Sequence, residues 1–162
     1  MIDHPPHLEA SWYGPLCKYI GSQLDDQTLL KPQGPLRDRD ADQSGDPDSS
    51  TDSAASYGPF RAEGPKKFPD FILCRFTASQ SQDTLKAIIE AKHPGDIRSA
   101  IRDLGIYLDL HADPNVVGIA IAGNEVVAVR LDPTSVSGCS QVWGTNLLGR
   151  GFLNHIFNLA RE

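Results

Sequence analysis

The stretch Phe68-Pro69-Asp70-Phe71-Ile72-Leu73-Cys74-Arg75-Phe76, followed by Leu85-Lys86-Ala87-Ile88-Ile89-Glu90-Ala91-Lys92, decides the fold. Both runs are apolar and rich in β-branched or aromatic residues, and the polar link from Thr77 to Thr84 reads as the connection of a hairpin. Side chains alternate along a strand, so Glu90 and Lys92 share one face and Ala91 takes the other. With the Asp70 strand alongside, two carboxylates and an ammonium converge on one spot. Each acid sits in an apolar run, where a charge is costly unless partnered. Two carboxylates can hold a hard divalent cation such as Mg²⁺. A lysine beside that cation can orient an attacking water or neutralise a phosphate, which is the chemistry of metal-assisted phosphodiester hydrolysis. The bland alternative is a solvated strand edge carrying an acid and a lysine.

The flanking sequence supplies helices and a second hairpin. Leu8, Trp12, Leu16, Ile20 and Leu24 recur every four residues, which predicts an amphipathic helix, interrupted at Gly14-Pro15 and firm from Pro15 to about Leu30. Trp12 and Tyr13 read as packing residues. After Lys92, the turn His93-Pro94-Gly95-Asp96 predicts a helix with Asp96 as N-cap. Ile97, Ile101, Leu104, Leu108 and His111 form its apolar stripe. Gly105 inside that helix implies a close helix–sheet approach. Asp103 falls at the edge of the stripe, as a minor contributor to any site. Val116 to Ala122 and Glu125 to Leu131, joined by Gly123-Asn124, predict a second hairpin, its first strand apolar enough to be covered on both sides. Residues 134–145 read as irregular. Leu147, Leu148, Phe152, Ile156, Leu159 and Ala160 predict a C-terminal helix. The order helix, strands, helix, strands, helix gives an α/β fold with three layers, a central mixed β-sheet flanked by helices.

Residues 1–162 suit one domain. Within it, residues 31–66 are rich in Asp, Ser, Gly and Pro and nearly free of large apolar residues, so they are expected to form a disordered insertion. Asp38, Asp40 and Asp42 alternate as in a calcium loop. An EF-hand needs Gly sixth and Glu twelfth, and those positions are Gln43 and Ser49, which excludes it.

Net charge is −6, and even residues 67–162 carry nine basic against ten acidic groups. A protein held to nucleic acid by phosphate contacts alone shows a positive footprint, so tight autonomous binding is not expected. Cys17, Cys74 and Cys139 are scattered with no CxxC pair, which argues against a zinc site of that type and for an intracellular setting, nucleus or cytoplasm. The N-terminal residues lack the apolar core of a signal peptide. No apolar stretch reaches the roughly 18 residues of a membrane span, so no membrane association is expected. No P-loop, GxGxxG, GxSxG or HExxH motif occurs.

Pro69-Asp70 and Glu90-Ala91-Lys92, in this order and followed by a helix, resemble the PD-(D/E)xK nuclease superfamily of restriction-endonuclease-like fold. The chain looks most like that superfamily's domains in fungal proteins of uncharacterised function. The resemblance covers residues 66–132 and extends loosely to the ends. It implies a nuclease hydrolysing phosphodiester bonds of DNA, or RNA, with Mg²⁺ or Mn²⁺. Asp70, Glu90 and the backbone carbonyl of Ala91 would hold the metal, Glu9 would add a ligand from the first helix, and Lys92 would activate water. Where the superfamily often carries Gln four residues before Tyr107, this chain has Asp103. Nucleic acid, DNA ahead of RNA, is the implied partner, with a homodimer or protein partner compatible. The acidic balance and Asp103 suit an alternative: a catalytically inactive nuclease-fold module binding protein or nucleic acid.

Overall fold

A computed structural model describes residues 13–32, 68–77, 82–135 and 138–161. Along the chain run α1 (Tyr13–Gly21), β1 (Thr28–Pro32), β2 (Phe71–Thr77), β3 (Gln82–Lys92), α2 (Ile97–His111), β4 (Val117–Ala122), β5 (Glu125–Leu131), β6 (Cys139–Asn146) and α3 (Arg150–Arg161). The strands form one six-stranded sheet in the order β1-β2-β3-β4-β5-β6. Only β3 and β4 are parallel, because α2 carries the chain back between them; all other neighbours are antiparallel.

Helices cover both faces. Alternation sends Phe71, Leu73, Ala87, Ile89, Ile119 and Ala128 to one face, where Leu16 and Ile20 of α1 and Phe152 and Ile156 of α3 pack on them. The opposite set, Ile72, Ile88, Ala120, Val127 and Val129, meets Ala100, Leu104, Tyr107 and Leu108 of α2. The result is an α/β fold of three layers. β4, central and flanked on both sides, is buried at all of its positions, as its unbroken apolar run requires. The close approach of α2 to the sheet is found at Gly118 of β4, where a Cβ would lie 3.1 Å from Leu108 Cδ1 and 3.4 Å from Leu104 Cβ. The turn between β4 and β5 uses Gly123 at φ +62° in its first position, as a two-residue II′ turn demands.

Five expectations are corrected. The helix read from Pro15 to Leu30 ends at Gly21, and Thr28–Pro32 is a strand paired with β2. Leu24 kept the helical spacing only because it packs on the same core from a turn. Pro15 sits in the helix's first turn, where a missing N–H costs nothing. Lys31 and Pro32 thus belong to the sheet; the rest of the expected insertion, 33–66, lies outside the described residues, as do Glu9 and Trp12. Of residues 134–145, read as irregular, those from Cys139 onward belong to edge strand β6 (Cys139–Asn146), whose largely exposed side chains carry no apolar alternation to reveal it. Asp96 flanks α2 without a side-chain cap bond. Leu147 and Leu148 precede α3: Leu147 is buried and its N–H donates to Asn124 O, while Leu148 is exposed. Among the described residues no helix is long and apolar enough to cross a membrane.

Candidate functional site

The last rung between β2 and β3 pairs Phe71 with Ile89, so Asp70, one step further, stands opposite Glu90. β3 runs past the start of β2 to Lys92. The Ala91 N–H in this overhang donates to Asp70 Oδ2 at 2.7 Å. The other oxygen, Oδ1, accepts the Tyr13 hydroxyl of α1. Tyr13 also packs edge-on against Phe71, ring centroids 5.2 Å apart. Asp70 is therefore held between the β3 backbone and the first turn of α1. At 7% exposure it is sheltered from water.

Glu90 is more deeply placed, at 3% exposure. Its neighbours in the sheet, Ile89 and Ala120, are fully buried. Oε1 accepts the Lys92 ammonium at 2.5 Å. Oε2 is buried with no hydrogen-bond partner among the described residues. Burial pushes the Glu90 carboxyl up to about 7; the Lys92 hydrogen bond opposes this, and the Asp70 and Asp103 charges add to it. Asp70 and Asp103 thus each lie within electrostatic reach of Glu90.

α2 supplies the roof. Asp103 Oδ2 lies 3.4 Å from Lys92 Nζ, and its side chain is 13% exposed. Tyr107, one turn on, is buried, and its phenol is raised well above its ordinary range by burial and then by the Glu90 and Asp103 charges. Asp103 is thus no solvated helix charge at the margin of the stripe. The signal was in the sequence: Ala100, Asp103, Leu104, Tyr107 and Leu108 share one helical face at spacings of three and four. Tyr13 had no such signal, since only the docking of α1 brings its hydroxyl to Asp70. His93 beside the site is exposed. His155, on α3, stacks flat on Trp143 at 4.1 Å, a packing role.

No family model, curated protein or solved structure matches the chain. Among the described residues no group of three or more His, Cys, Asp or Glu is arranged to hold a metal ion. Two carboxylates remain, and they fit a hard cation. Glu90 Oε2 is buried with no hydrogen-bond donor among the described residues, and Asp70, held by the Ala91 amide and the Tyr13 hydroxyl, is fixed beside it. Mg²⁺ keeps several waters and binds through one or two protein carboxylates.

Proposed function

We propose that the chain is a metal-dependent nuclease of restriction-endonuclease-like fold, acting on DNA or RNA with Mg²⁺ or Mn²⁺. The observation that carries this reading is the buried Glu90 with an orphaned oxygen, set beside Asp70 and within reach of Lys92. Asp70 and Glu90 would hold the cation, with the Ala91 carbonyl as a further ligand. When bound, the cation supplies Lewis-acid activation and stabilises charge on the leaving oxygen. Asp70 is oriented by the Ala91 amide and Tyr13. Glu90, ionised on binding, loses the penalty of its lone buried charge. Lys92, relieved of part of its hold on Glu90, orients a water toward the scissile phosphate. Arg98 and Arg102, exposed and four residues apart on α2, present two cations on one helical face for the nucleic-acid backbone.

A second reading has its own support. The Lys92 ammonium already bridges Glu90 and Asp103, so an internal cation can neutralise the acids without metal. That describes a nuclease-fold binding module without catalysis. Thermal unfolding with Mg²⁺ or Mn²⁺ and cleavage of DNA and RNA separate the two. The nuclease reading expects metal-dependent stabilisation by mass action and cleavage. Lys92→Ala should abolish turnover while preserving the metal-induced shift, and Glu90→Ala should abolish both. No shift and no cleavage with either metal leaves the binding module.

A further inference from the structure

Lys92 faces two acids from two different elements. Its ammonium donates to Glu90 Oε1 on β3 at 2.5 Å and lies 3.4 Å from Asp103 Oδ2 on α2. The Asp103 side chain is 13% exposed and that of Lys92 22%, so the pair is partly shielded from salt. Arg102 Nε lies 4.0 Å from Asp103 Oδ1, and its side chain is 74% exposed. Among the described residues Asp103 does not complete a metal-holding trio with the other acids. Its carboxylate serves the lysine.

We propose that Asp103 is a positioning residue for Lys92, keeping the ammonium at the mouth of the site once Glu90 is committed elsewhere. The inference rests on the nuclease reading for its purpose, though its geometry stands apart from that reading. A cation on Glu90 cancels the charge that holds the ammonium and repels it. Lys92 has a flexible four-carbon stem and would turn to solvent if Glu90 were its sole anchor. Asp103 prevents this because it is rigidly mounted: its neighbours Leu104, Tyr107 and Leu108 are buried against the sheet. The lysine then remains where a water can be oriented, while Glu90 is free to serve as a ligand.

Acetylation of the Lys92 amine by a small anhydride, followed by mass spectrometry on the full chain, tests this without any activity. Glu90→Gln removes the competing charge and imitates a committed Glu90. Lys92 should stay protected in Glu90→Gln and react at least about tenfold faster in Glu90→Gln/Asp103→Asn, the factor given by losing about 1.4 kcal/mol of pairing. Lys31 and Lys86 serve as internal references, because an unfolded variant would label all three. Asp103→Ser carries the same test if the asparagine variant does not fold. Equal labelling of Lys92 in the single and double variants overturns the proposal whatever metal does. Added Mg²⁺ should expose Lys92 in Asp103→Asn alone and leave it protected in the wild type. If Mg²⁺ changes neither labelling nor thermal stability in any variant, the nuclease reading fails, while a difference between the single and double variants still upholds Asp103 as the anchor. In an active protein, Asp103→Asn should lower kcat with KM little changed, and add no further loss in a Lys92→Ala background.

Discussion

Glu90 should make the metal-free protein lose stability as pH rises, and Glu90→Gln should abolish that loss. Its carboxyl moves from an ordinary value of 4.5 to about 7 in the fold, first through burial. Between those values the folded state holds a proton that the unfolded state has released. Stability therefore falls as pH climbs through this window and levels off above it. At 1.36 kcal/mol per pH unit the full effect is about 3 kcal/mol, an upper figure because Lys92 rearranges as Glu90 ionises. In a domain of this size that corresponds to about 6–12 °C in melting temperature. The groups facing Glu90 are Lys92 on its own strand, Asp70 beside it, and Asp103 and Tyr107 on α2. The assay is urea unfolding of wild type and Glu90→Gln from pH 5 to pH 8 without divalent metal. The glutamine variant should lack most of that fall in stability across the window. Any constant offset from losing the Lys92 pair does not affect the slope. Equal slopes would refute the reasoning and show that Glu90 is hydrated. Mg²⁺ should stabilise the wild type more at pH 8 than at pH 5, because binding requires the ionised carboxylate.

Tyr13→Phe should cost about 1–2 kcal/mol in urea unfolding, since Asp70 Oδ1 loses its hydroxyl donor in a partly buried setting; no change would show that water replaces the phenol. Gly118→Val should cost about 1–3 kcal/mol or prevent folding, because even a Cβ would lie 3.0 Å from Val129 Cγ2 and 3.1 Å from Leu108 Cδ1. Arg98→Ala/Arg102→Ala should weaken nucleic-acid binding uniformly across sequences and reduce the slope of log affinity against log salt by about 2, measured by fluorescence anisotropy. An unchanged slope would move the phosphate contacts off α2.

Local patterns in the chain determined much of this architecture. The β2–β3 hairpin, α2, the β4–β5 hairpin with its Gly123-Asn124 turn, and α3 were all legible, because alternation, helical spacing and turn residues act within a few positions. So was the same-face pairing of Glu90 and Lys92, which follows from β geometry alone. Tertiary structure decided the rest. Thr28–Pro32 became a strand because β2 offers it partners, and Leu24 could imitate a helical stripe because a core accepts apolar groups from a turn as readily as from a helix. β6 exists because β5 needed its outer edge paired, although its own residues are mostly exposed. At the site, proximity across the hairpin was readable, but the Tyr13–Asp70 bond and the Lys92–Asp103 pair join residues from separate elements. Periodicity can place Asp103 on the inner face of its helix. Only the way α2 docks on the sheet, limited by the close approach at Gly118, determines which side chain it meets there.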